Sequence, residues 1–144
     1  MKPTPVKLPR KMSALITIAL ADLAKVERSK KYEVIMGTWH DPSRFGDRVC
    51  AVCLAGAVMA KTLGADPSLQ IYPERFPENE SALCALDELR EGDALSAAIK
   101  LGLGVGAERK ACRLSRHVAP YRDNPKKFRA DMRKLARELK TVGL

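Results

Sequence analysis

The chain has 144 residues, of which 46% are apolar and 30% charged, and a formal net charge of +9 at neutral pH. That length holds one contiguous core and not two, and the apolar fraction is that of a folded globule, which excludes a disordered chain. The longest apolar run, Val49 to Ala60, falls short of the roughly 20 residues a membrane span needs, and the basic start leads into a stretch broken by Asp22 and Lys25 rather than a cleavable leader.

Residues 1–10 carry three prolines and cannot begin a helix, so a basic extended arm is expected there and a single helical domain over 11–144. From Lys11 to about Lys31, Leu15, Ile16, Ala19, Leu20, Leu23 and Val26 recur on one side of a helix. Residues 32–36 either prolong that helix or form a short strand, and a small hairpin around 32–40 is compatible with the pattern. Asp47 can cap a second helix, over about 48–63, whose middle (Cys50 to Ala60) is apolar on every face. A helix of that kind belongs at the centre of a bundle. After a loop punctuated by Pro67, Pro73 and Pro77, Asn79 or Ser81 can cap a helix carrying Leu83, Leu86 and Leu89 and stopping at Gly92. Asp93 can cap the next, which fades into Gly102-Leu-Gly-Val-Gly106. Helical signals return over 107–117 and again from Pro125, a good first helical residue after an Asn124 cap, where Phe128, Met132, Leu135, Leu139 and Val142 form a stripe. The fold expected is all-α, or mainly α with at most a small hairpin, as a compact bundle around the buried central helix.

Charge is unevenly distributed. Residues 1–31 hold eight basic and two acidic groups, residues 32–100 six and eleven, and residues 101–144 twelve and four. If the two terminal segments lie side by side they make a positive face, and such a face attracts polyanions. The side chains expected to carry it are Arg109, Lys110, Arg113 and Arg116, with Lys126, Lys127, Arg129, Arg133, Lys134 and Arg137. The few aromatics are scattered, so a base-stacking platform is not expected. A basic amphipathic helix that merely keeps the protein in solution is the competing explanation.

Four cysteines without a leader point to reduced thiols rather than disulfides. Cys50 and Cys53 form a Cys-x-x-Cys pair with His40 ten residues earlier, and Cys84, Cys112 or His117 could complete a zinc site. The pair lies in an apolar run, where thiols act as small hydrophobes, so core packing is the preferred reading and no cofactor or metal is expected. The alternative of a nucleophile places Cys50 in the first turn of a helix, where the helix dipole lowers a thiol pKa, with His40 or His117 as base. The glycine-rich stretch ending at Gly106 follows no strand and lacks the Gly-Lys-Ser/Thr ending of a phosphate loop.

The arrangement Lys31-Tyr32, Met36-Gly-Thr-Trp-His40, Cys50-Ala-Val-Cys-Leu-Ala-Gly-Ala-Val-Met-Ala60, Leu63-Gly64 and Ala85-Leu-Asp-Glu-Leu-Arg-Glu-Gly92 resembles a family of small bacteriophage-encoded proteins. Residues 46–56 are also similar to phage proteins with a Gly-Asp-x-Phe-Cys-Cys-Leu-Gly-Val-Leu stretch. The resemblance covers residues 31 to 92 and implies a setting: an accessory protein in the bacterial cytoplasm that binds and redirects host machinery or counters host defence. The expectation is therefore a binding protein whose basic ends contact nucleic acid or a nucleoprotein complex, with no membrane partner. Two alternatives accompany it, an inhibitor docked on an acidic host protein and a cysteine- or zinc-dependent enzyme.

Overall fold

The computed structural model describes residues 7–36, 38–42, 50–62, 71–90, 94–115 and 121–144. Its elements are, in chain order, α1 (Met12–Arg28), β1 (Tyr32–Val34), β2 (His40–Pro42), β3 (Cys50–Val52), α2 (Leu54–Thr62), a single 3-10 turn (Pro73–Arg75), α3 (Glu80–Arg90), α4 (Ala94–Lys100), α5 (Val105–Ser115) and α6 (Pro125–Thr141). The chain is mainly helical, as its composition dictates.

α1 and α6 are the two longest helices, and each buries one stripe. Met12, Leu15, Ile16, Ala19 and Leu23 of α1 and Phe128, Met132 and Leu139 of α6 are at most 1% exposed. Each large apolar side chain so buried contributes about 2 kcal/mol. At the start of α6 the Asn124 carboxamide oxygen accepts the Lys127 amide proton at 3.0 Å, with Pro125 in the first turn. α1 packs on both α6 and α2, while α3, α4 and α5 follow one another as neighbours. The extended residues before α1 are tied down, because the Leu8 amide donates to Asn79 Oδ1 at 2.9 Å and Leu8 is itself buried. Residues 1–6 of the expected arm lie outside the described residues, as do the cap positions Asp47 and Asp93.

The expected helix over 48–63 needs correction at its start. Residues 50–52 are a strand, and the helix runs over Leu54–Thr62, buried from Leu54 through Ala60. β3 is the middle strand of a three-stranded sheet, parallel to β1 and antiparallel to β2. The hairpin envisaged around 32–40 is thus not made, since β1 and β2 pair with β3 and not with each other. In this register Tyr32, Val34, His40, Pro42, Cys50 and Val52 share one face. Pro42 is tolerated because β2 is an edge strand in this sheet.

Two glycines fix where elements meet. Gly102, at φ +73°, ends α4: the Leu103 amide donates to Ala98 O and the Gly102 amide to Ile99 O, the paired bonds of a left-handed helix stop. Gly56 lets α2 approach the loop before β2, for a Cβ there would lie 1.6 Å from the Trp39 carbonyl oxygen. Trp39 in turn packs against the core and anchors that loop through its large apolar ring.

One buried charge marks the α1–α2 contact. Asp22 is 2% exposed, and Lys61 Nζ lies 3.3 Å from its Oδ1, yet among the described residues no well-formed hydrogen bond reaches either carboxylate oxygen. Burial raises the Asp22 pKa above its ordinary 3.8, against the opposing pull of Lys61 and Lys25. A raised carboxylate pKa favours the fold most when the group is neutral, so this contribution is fully present below about 3.8 and is lost as pH rises through the higher folded value. Asp22→Asn should therefore be more stable than the parent at pH 7, with the gap closing on acidification. Chemical denaturation across that range measures it, and a gap that widens toward low pH would contradict the sign.

Candidate functional site

Sheet register sets Cys50 diagonally across from His40, with Sγ 3.3 Å from Nδ1, and the Tyr32 ring meets the imidazole edge-on at a centroid distance of 5.8 Å. Cys50 is 0% exposed and His40 1%. Burial pushes the Cys50 thiol up to about 11, and the Asp41 carboxylate adds to the rise. Cys50 is thus on a strand and held as a thiol, not at a helix start as a thiolate, and the nucleophile reading has lost its physical basis.

The extended backbone also undoes Cys-x-x-Cys as a chelating turn. At about 3.3 Å per residue, the Cα atoms of Cys50 and Cys53 lie about 10 Å apart, beyond the span of a disulfide. Cys53 instead precedes α2, where its Sγ accepts the Gly56 amide proton at 3.3 Å. Cys84 is on α3 and half-buried, and Cys112 is exposed on α5. Among the described residues no three His, Cys, Asp or Glu side chains are grouped to hold a metal. His117 and Arg116 lie outside the described residues.

The cationic residues are separated by the fold into distinct sets. Arg109, Lys110 and Arg113 are exposed on α5. Lys126 and Lys127 are exposed in the first turn of α6. Arg129 is ion-paired with Glu27 of α1, and Tyr121 donates its hydroxyl to the other oxygen of the same carboxylate at 2.5 Å. Burial and Glu27 hold the Tyr121 phenol well above its usual pKa, so it remains the donor. Lys134 is exposed and stands 4.0 Å from Glu138 on the same helix. Arg133 and Arg137, by contrast, line a groove of about 850 Å³ between α1 and α6.

That groove brings together cations from both ends of the chain. Arg129 meets Glu27 near the end of α1, and the groove sets Arg133, Arg137 and Lys140 beside residues that lie earlier in α1, so the helices run antiparallel. Its basic residues are Lys11, Arg133, Arg137 and Lys140, and among the described residues no carboxylate or aromatic ring lines it. The floor comes from both helices: on α1 Ala14, Thr17 and Ala21 are exposed, Ile18 and Ala24 half-buried and Ser13 and Leu20 buried, and α6 adds the buried Ala136. Thr17 donates its hydroxyl to the Ser13 carbonyl at 2.9 Å, which satisfies the one donor it has. The surface is an aliphatic trough with a basic rim. Lys11 and Lys140 were not among the residues expected from the sequence. Lys140 follows Arg133 and Arg137 at helical spacing, a local signal, but Lys11 joins them only through tertiary packing.

No family model matches the chain, and neither curated proteins nor solved structures show significant similarity to it. Among the described residues no helix is long and apolar enough to cross a membrane.

The thiol assignment is directly testable. At pH 7 in the native state, a small alkylating reagent should modify Cys112 and leave Cys50 untouched until denaturant is added. Labelling of Cys50 in the folded protein at the rate of Cys112 would return the sheet to consideration as a reactive centre.

Proposed function

We propose that this chain is a non-catalytic binding protein that grips an anionic macromolecule along the groove between α1 and α6. One observation carries the reading: four cations from opposite ends of the sequence line a single open trough with no carboxylate among the described residues that line it. Cations gathered without counter-charges repel one another, which is unfavourable to the free protein and is relieved by an anionic partner. In the setting that residues 31–92 resemble, such a protein would act by occupying the anionic surface of a host component.

Nucleic acid, alone or in a nucleoprotein complex, satisfies the rim through its phosphates, and Lys126 and Lys127 could extend that contact along α6. An acidic protein segment satisfies the rim as well, and the aliphatic floor is the specific observation in its favour. The cysteine- or zinc-dependent enzyme has no comparable support, given the depth and protonation of Cys50.

Immobilised heparin provides a partner-independent probe of the rim. Removing three groove charges together (Arg133→Ala, Arg137→Ala, Lys140→Ala) should lower the salt concentration for elution far more than removing three from α5 (Arg109→Ala, Lys110→Ala, Arg113→Ala). Equal shifts for the two triple variants would mean that net charge alone governs retention, and the groove would lose its claim.

A further inference from the structure

Resting on that reading, the geometry points to a particular occupant of the groove: an amphipathic α-helix of a protein partner, with carboxylates along one edge and an apolar stripe facing the floor. Three features distinguish it from a phosphate backbone. The first is shape. A trough between two adjacent antiparallel helices accepts a third cylinder of about 10 Å diameter, whereas a DNA duplex is too broad to enter it. The second is the floor, built from Ala14, Thr17, Ile18, Ala21 and Ala24. Small side chains let another backbone come close and bury apolar atoms, a contact with no use for phosphates, and the missing aromatic rings deny a single strand its stacking platform.

The third feature is spacing. Arg133, Arg137 and Lys140 stand at i, i+4 and i+7 on α6, one stripe spanning about 10 Å along the helix axis. Carboxylates on a helix lying alongside repeat at the same interval, so each cation meets one acid without bending either chain. Lys11, the residue before α1, adds a fourth cation to the lining. The rim thereby selects for acidity and orientation, while the floor supplies the apolar burial that sustains affinity.

The test compares two synthetic peptides of identical composition, one with leucines on a helical stripe flanked by glutamates, the other with the same residues scrambled, alongside a short DNA duplex. Fluorescence anisotropy should show the amphipathic peptide binding the full chain at least about tenfold more tightly than the scrambled one. Ala21→Trp fills the exposed floor and leaves every cation in place. It should weaken the amphipathic peptide by at least about tenfold. Equal binding of the two peptides, no binding of either, or indifference of peptide binding to Ala21→Trp overturns the helix assignment. Duplex DNA binding that depends on Arg133 and Arg137 but not on the Ala21 substitution also overturns it, while leaving the anionic-partner reading intact. If the groove triple variant and the α5 triple variant shift equally on heparin, both fail.

Discussion

The organisation of this protein depends on how α6 is laid against α1. Apolar stripes bring the two helices into contact, but stripes alone do not choose between parallel and antiparallel alignment. Glu27 makes that choice. Its carboxylate receives Arg129 from the start of α6 and the Tyr121 hydroxyl from the segment before it, and Tyr121 also meets Phe128 edge-on at 5.4 Å. With the first turns of α6 fastened to the last turn of α1, the end of α6 must fall beside the start of α1. Lys140 and Arg137 thereby line the same groove as Lys11, and like charges that repel share one surface because packing elsewhere sets the alignment. Function is proposed at the place where the fold holds charges that do not stabilise it.

The rest of the molecule supports that pair. α2, buried from Leu54 through Ala60, packs against α1, and the short sheet contacts it, with Tyr32, Val34, His40, Pro42, Cys50 and Val52 sharing one face. The buried His40 and Cys50 contact resembles a dyad in its distances but not in its setting: both side chains are inaccessible and the thiol is held protonated. It satisfies two polar groups inside the core, where leaving either unpaired costs about 1–3 kcal/mol.

What the sequence made legible follows from the range of each signal. The last helix was readable through Leu139, because Asn124, Pro125 and the stripe are local features, but Val142, expected in that stripe, is exposed at the helix end. Gly102 was readable as a stop for the same reason. The segment from Cys50 to Ala60 was not, since a run that is apolar at every position has no period to separate strand from helix, and its β-branched Val49 and Val52 were the only hint of the strand. The site divides the same way. Arg133 and Arg137 were identified from their own helix, whereas Arg129 looked equally free until Glu27, 102 residues away, was found to neutralise it. Lys11 belongs to the rim only through the antiparallel packing, which no local pattern encodes.

The alignment of α1 and α6 is therefore the claim on which the groove, its charge and its occupant all rest. Paired nitroxide labels read it directly, in a background with Cys84 and Cys112 replaced by serine. Labels at positions 11 and 140 should give a short, narrow distance distribution, and labels at 11 and 126 one that is longer by about 20 Å, the rise of the intervening helix. The reverse order, or indistinguishable distances for the two pairs, would show that the terminal cations do not share a surface.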